Sequence, residues 1–225
     1  MHFLYHDIDF KCATSPSGFQ SASARKYKLS EEVFHAHVSK LNKFVVDQKN
    51  NGDCSTTHSI NFSFDDGGAS AMYASEILET FGFIGTFFVV TNLIGKAGFL
   101  NVRDIRELSN RGHIIGSHSQ THPDRMAFLP PQMLKTEWES SKNILEDILG
   151  KRINTCSIPG GSYRLGTLQM TAATGYSKVH TSEPTLNCFG RTVDFKTHKI
   201  QVLGRIPISK AWTAAYLNDF LGSVK

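Results

Sequence analysis

The sequence predicts an α/β fold built on parallel strands. Three observations carry this. Short apolar or alternating runs of strand length recur along the 225 residues. Amphipathic helical stretches separate them. The unusual polar residues fall just after the strands, and in parallel architectures the C-terminal strand ends face one side of the molecule, where sites are built.

The elements follow in order. Leu4 to Ile8 is the first strand, and residues 11 to 29, rich in Ser, Gly, Ala and Lys, read as an irregular loop. Ser30 with Glu31 and Glu32 starts a helix, the acids complementing its N-terminal dipole. Val33, His37, Leu41, Phe44 and Val45 form its inward stripe. A polar loop from Asp47 to Thr57 leads to Ser59–Phe64, where apolar and polar residues alternate as in a strand. From Ala69 a helix turns Met72, Ile77, Leu78 and Phe81 inward and stops at Gly82. Thr86 to Val90 is apolar throughout, as a strand buried on both faces requires. Val102, Ile105 and Leu108 mark a short helix ending near Gly112, and His113 to Gly116 is the next strand. Pro130 and Pro131 open a long helix with Leu134, Trp138, Leu145 and Leu149 inward and Gly150 as its stop. Asn154–Ile158, Lys178–Thr181 and Gln201–Ile206 are the remaining strands. The length suits one domain, residues 1–225, with a single core.

Composition excludes several function classes. The net charge of +4 comes with no basic stripe, so no nucleic-acid partner is expected. Cys12, Cys54, Cys156 and Cys188 are widely spaced, which argues against a zinc knuckle or a small disulfide scaffold. One long-range disulfide stays open, with free thiols in a reducing compartment the commoner state. The N-terminus lacks the basic and apolar regions of a secretory signal, and no stretch reaches membrane-spanning length. A soluble cytoplasmic protein is the expectation; oligomeric state is not visible.

Four post-strand segments collect the chemistry: Asp65-Asp66, His118 with His122, Pro159 to Gly161, and Ser182 to Pro184. Histidines four apart face one way if their segment makes a helical turn, so both imidazoles can reach one ion. A carboxylate from another strand completes a His-His-Asp set with positions left open, the geometry of a catalytic rather than a structural site. The Asp65-Asp66 pair supplies that carboxylate with one to spare, which can act as base toward a metal-activated water. Alone, each half is weak, since ten histidines make one H-x-x-x-H pair unremarkable, and Asp-Asp-Gly alone is more often a turn. Their joint placement gives the signal.

Ser63-Phe64-Asp65-Asp66-Gly67 and His118-Ser119-Gln120-Thr121-His122 together resemble the first and second motifs of the polysaccharide deacetylases with NodB homology, carbohydrate esterase family four. The resemblance extends over about Leu4 to Arg205. It implies a distorted (β/α) barrel of about seven parallel strands, fewer than the regular barrel's eight. It also implies Asp65 as general base, with Asp66, His118 and His122 as ligands to one divalent metal ion, most often zinc. The activity implied is N-deacetylation of an acetylated sugar or polysaccharide, and O-deacetylation would need the same parts.

The departures from the family pattern are specific. The family's third motif begins with an arginine that orients the base; here Ser157 stands in its place, followed by Pro159-Gly160-Gly161. Gly160 and Gly161 are candidate oxyanion donors or simply a strand-to-helix turn. The family's Asp/Trp motif gives way to Thr181-Ser182-Glu183-Pro184, and Gly204-Arg205-Ile206-Pro207 stands near where its acid histidine would be. Tyr5-His6-Asp7, Tyr27-Lys28-Leu29, Pro159-Gly160-Gly161 and Thr181-Ser182-Glu183-Pro184 together resemble a divergent branch associated with exopolysaccharide and surface-glycan biosynthesis. Arg205 is the candidate charge partner of Asp65 or Glu183. His6 is the candidate substrate contact or proton donor. His180 and His198 read as ordinary, and Trp138 and Trp212 as packing. Two further readings stay open: the same scaffold hydrolysing a non-sugar amide or imide, and a glycan-binding module with decayed catalysis.

Overall fold

In the computed structural model, which describes residues 1–11, 15–50, 60–186 and 189–224, the strands of the main sheet run β1 (His2–Tyr5), β4 (Asn61–Phe64), β5 (Gly85–Val89), β6 (Ile114–Ser117), β7 (Thr155–Ser157), β8 (Lys178–His180), β9 (Arg191–Phe195), β10 (His198–Leu203) and β11 (Ile206–Pro207). A separate parallel pair joins β2 (Ile8–Asp9) to β3 (Leu29–Ser30). The helices are α1 (Glu31–Asn50), α2 (Ala71–Thr80), α3 (Val102–Asn110), α4 (Pro131–Leu149), α5 (Leu165–Ala173) and α6 (Ala214–Ser223). Cys12, Cys54 and Cys188 lie outside the described residues, and Cys156 is a buried free thiol. Among the described residues, no helix is long and apolar enough to cross a membrane.

The sheet order is β11-β1-β4-β5-β6-β7-β8-β10-β9, parallel throughout except for the β9–β10 hairpin. The sequence suggests one strand over Gln201–Ile206, but the structure splits it at Gly204-Arg205. β10 pairs with β8, while β11, just after the break, pairs with β1 at the other edge. One chain segment therefore joins the strand next to one edge to the strand at the other, and the sheet curls back on itself as a distorted barrel. Gly204 is required at the break, because a Cβ there would strike the Glu183 carbonyl and the Thr185 side chain.

Punctuation residues act as read. Gly82 and Gly150 take positive φ, 72° and 65°, and Pro131 sits in the first turn of α4. Helix α3 is fixed by a capping box between Asn101 and Asp104. Between helices and sheet lie Phe34, Leu41, Phe62, Leu78, Phe87 and Trp138, all at most 1% exposed. Each contributes roughly 1.5–3 kcal/mol of burial. The inward face of α1 is centred on Phe34, His37, Val38, Leu41 and Phe44, leaving Val33 and Val45 at its margin. Helices α5 and α6 have no counterpart in the sequence reading. The Leu-Gly-Thr-Leu-Gln-Met-Thr-Ala-Ala run of α5 is mostly small residues and makes little contrast between faces.

Candidate active site

Asp65 and Asp66 follow β4, His118 and His122 follow β6, Gly160 and Gly161 follow β7, and Ser182 follows β8. All line one cavity of about 550 Å³, together with His6 just after β1 and Phe19, Tyr27 and Asp124. The structure thus brings together at one face the segments that the sequence scatters over more than a hundred residues.

Ligand atoms of Asp66, His118 and His122 lie within 4.8 Å of one another. Asp66 Oδ1 is 3.4 Å from Nε2 of each histidine. His118 Nδ1 donates to the Ser157 carbonyl at 3.0 Å, which turns its Nε2 toward Asp66. Two imidazole nitrogens and one carboxylate suit a divalent cation. Burial pushes the Asp66 carboxyl upward, but its hydrogen bonds with His118 and His122 outweigh that and hold it far below the usual range. Burial lowers His122, and the Asp66 hydrogen bond and charge outweigh it, leaving a net rise.

The histidine segment is not a helical turn, which corrects the sequence expectation. Ser119 and His122 take positive φ, 64° and 61°. The strained path is held by Glu137 of α4, whose Oε2 accepts the N–H groups of Gln120 and Thr121 at 2.9 Å and whose Oε1 accepts the Thr121 hydroxyl at 2.6 Å. Ser119 Oγ accepts the His122 N–H at 3.0 Å. These four bonds replace the helical ladder and aim both rings at Asp66.

Asp65, 4% exposed, faces different partners. Arg205 Nη1 donates to Oδ1 and Nη2 to Oδ2, both at 2.8 Å, a bidentate fork. Ser157 Oγ adds a bond to Oδ2 at 2.9 Å. The guanidinium, fully buried, also donates to the Thr181 carbonyl, Ser63 Oγ and Ser157 Oγ at 2.9, 3.1 and 2.7 Å. All five of its N–H groups are engaged. Burial pushes the Asp65 carboxyl upward, yet the Arg205 charge, helped by His118, holds it at about 2. The side chain of Arg205 thus meets Asp65 rather than Glu183, whose backbone carbonyl accepts the Arg205 N–H. Ser157, which reads in sequence as a lost arginine, leaves room for this guanidinium and bonds to it.

Gly160 and Gly161 occupy a turn with φ of 59° and 67°. The Gly161 N–H donates to the Ile158 carbonyl at 3.3 Å. His6 packs its ring 4.9 Å from Tyr27, with Nδ1 buried and unpartnered. Phe19 lies 5.2 Å from the His122 ring. Sequence reasoning passes over Phe19 and Glu137, and it names Tyr27 and Ser63 only within motifs, without a place in the site; aromatic residues inside an otherwise polar loop are the one available signal for Phe19 and Tyr27. His180 is buried within the electrostatic reach of Arg205, whereas His198 is exposed.

A family model described as polysaccharide deacetylase matches residues 52–179. The Bacillus subtilis (strain 168) protein YxkH, named for a polysaccharide deacetylase, is 29% identical over 123 residues, which are 54% of this chain and 44% of that protein. The chain thus spans less than half of that curated relative. Among solved structures, the Streptococcus pyogenes deacetylase PplD in complex with acetate superposes with a TM-score of 0.73 at 21% identity, over 98% of this chain and 96% of that one. A de-N-acetylase from Aggregatibacter actinomycetemcomitans gives 0.72 at 16% identity, over 97% and 98%. At these identities the structural likeness is one of fold.

Proposed function

The chain belongs to the polysaccharide deacetylase family, and from that premise we propose that it is a metal-dependent hydrolase that removes the acetyl group from an N-acetylated sugar within a glycan or glycan precursor. The observation that carries the reading is the division of labour between adjacent carboxylates at one cavity: Asp66 faces two imidazoles and Asp65 faces a guanidinium.

Asp66, His118 and His122 would hold one divalent cation, zinc first among those the donor set suits. Bound there, it supplies Lewis acidity, polarising an acyl carbonyl and lowering the pKa of a water. Asp65, whose carboxylate lies 3.8 Å from His118 Nε2, takes the proton of the attacking water. Arg205 and Ser157 keep that carboxylate ionised and fixed, the role the family gives to an arginine in the third motif. The Gly160 N–H is the better oxyanion donor of the glycine pair, since that of Gly161 already closes its turn. His6 gives a proton to the departing amine as the C–N bond breaks, releasing acetate and the free amino sugar.

The test is acetate release from a panel of N-acetylated sugars, O-acetylated sugars and small non-sugar amides, with and without chelator, comparing the wild-type chain with Asp65→Asn. Chelator-sensitive release from N-acetyl sugars, lost in Asp65→Asn, is the expected result. Release confined to small amides would overturn the sugar assignment. Full binding of glycan and metal with no release from any substrate would overturn the enzyme assignment.

A further inference from the structure

Asp7 follows His6, is 3% exposed, and does not line the cavity. It nevertheless joins three segments that do. Its Oδ1 accepts Ser17 Oγ at 2.6 Å and Ser70 Oγ at 3.0 Å. Ser17 Oγ accepts the Ser70 N–H at 2.8 Å, and Ser70 Oγ accepts the Ile8 N–H at 3.1 Å. The Asp7 carbonyl accepts the Leu29 N–H at 3.1 Å. Lys28, only 4% exposed, donates its ammonium to the Ser17 carbonyl and places a positive charge within reach of the carboxylate.

Two glycines make room for this carboxylate. A Cβ at Gly18, where φ is +61°, or at Gly68 would collide with the Asp7 side chain. Gly68 comes two residues after Asp66, and Gly18 immediately precedes Phe19. The N–H groups of Gly18 and Ala69 share the Gly98 carbonyl, at 2.7 and 2.9 Å. The segment 15–28 is therefore tied to the Asp65-Asp66 turn through one buried carboxylate. A buried charge is an expensive way to make a merely structural tie. Here it sits where the irregular segment must keep register with the site, and that segment carries Phe19 against the His122 ring and Tyr27 against the His6 ring.

We propose that Asp7 is a positioning residue that holds the segment 15–28 as a fixed wall of the cavity, so that Phe19 and Tyr27 present their rings to the sugar being deacetylated. The inference rests on the deacetylase reading above. An aromatic face is what a pyranose ring's C–H surface packs on, and such a face contributes only when its backbone is held in place.

The experiment uses the full chain loaded with zinc and compares the wild type with Asp7→Asn, Asp7→Asn/Lys28→Met and Ser17→Ala. Two substrates are measured, an N-acetylglucosamine oligomer and 4-nitrophenyl acetate, whose leaving group needs no acid and offers no sugar ring. Asp7→Asn should raise KM for the oligomer by about tenfold or more, as a displaced positioning group does. Turnover of the nitrophenyl ester should stay within about twofold, with zinc stoichiometry unchanged. Removing the stranded ammonium in Asp7→Asn/Lys28→Met should recover part of the oligomer KM. Ser17→Ala, the milder change, should show the same split in smaller measure and keeps the test decisive if the other variants fold poorly. Parallel losses on both substrates, or an unchanged oligomer KM in every variant, would overturn the proposal. A wild type inactive on every sugar would instead sink the deacetylase reading, so the two failures are distinct.

Discussion

Asp65 and Asp66 are neighbours with the same side chain, yet the two sides of the site that receive them are built on opposite principles. The Asp65 side is closed: a buried guanidinium whose N–H groups are all engaged, two serines and a carbonyl. The Asp66 side is open: two imidazole nitrogens at 3.4 Å, with His122 reaching toward the cavity. A turn residue with φ of 75° at Asp66 is what sends the two carboxylates apart. Chemistry at this site is therefore assigned by partners rather than by residue type. A fixed arginine holds one carboxylate as an anion, and two facing imidazoles suit the other to the metal-holding role proposed for it.

The largest effects should come from exchanging these roles. Asp66→Ala should abolish stoichiometric zinc binding together with acetate release. Asp65→Asn should keep the metal, because its side faces Arg205, while lowering turnover by about 10²–10⁴, the usual worth of a positioned general base. Metal analysis beside acetate release separates them, and loss of metal in both would erase the contrast. Next in size is Arg205→Met. It strands a buried carboxylate, so thermal or denaturant unfolding should show a loss of about 3–5 kcal/mol. The double change Asp65→Asn/Arg205→Met should restore much of that stability without restoring activity, which a purely structural pair would not distinguish from wild type.

The two sides also differ in how far they can be read from sequence. The open side depends on residue types with fixed chemistry at short spacing, so Asp66, His118 and His122 can be picked out as a set before any fold is known. The path between the histidines cannot, because it is bent by Glu137, a helix residue whose contribution exists only after α4 packs against β6. The closed side is harder still. Arg205 can be singled out because it follows a late strand, but its pairing depends on barrel closure, which sets β11 beside β1 and lets the Arg205 side chain reach Ser63 and Asp65 at the end of β4. Ser157 reads as a deletion of charge, since sequence shows only what a position has lost. Segment 15–28 has no periodicity, so nothing in it marks Phe19 and Tyr27 as walls of a cavity. Most of the barrel's strands and the helices from α1 to α4 were legible for the converse reason: their periods and their Gly and Pro stops are local.

Glu137 offers the middle-sized test of the open side. Its carboxylate holds the backbone that leads to His122, bonding to Gln120 and Thr121 rather than to Asp66, His118 or His122. Glu137→Gln, which keeps the shape but cannot accept all three bonds equally well, should weaken zinc affinity by about 10–100-fold, as loss of an outer support does. Competition titration against a chromophoric chelator reads this directly. Equal weakening by Ser157→Ala would show that the two sides are not independent, because Ser157 presents its carbonyl to His118 as well as its hydroxyl to Asp65.

The smallest effect lies beneath the closed side. His180 is 7% exposed, with Nδ1 unpartnered. Burial, then the positive charge of Arg205, pushes its pKa well below the ordinary histidine range. It therefore enters the fold neutral and stays so. Once the chain unfolds it regains an ordinary pKa of about 6.5, and below that pH the unfolded state binds a proton that the folded state refuses. Stability should be level above that value with respect to this group and fall as pH drops through it, with a limiting slope of about 1.4 kcal/mol per pH unit. Urea unfolding of the wild type and of His180→Gln between pH 7.5 and about 5 measures the difference. The variant should lose that share of the slope while Asp65 remains held by Arg205, because the carboxylate's own range lies near 2. An identical slope in both proteins would mean that His180 takes up a proton inside the fold. The guanidinium would then impose far less on its neighbours than the closed architecture around Asp65 requires.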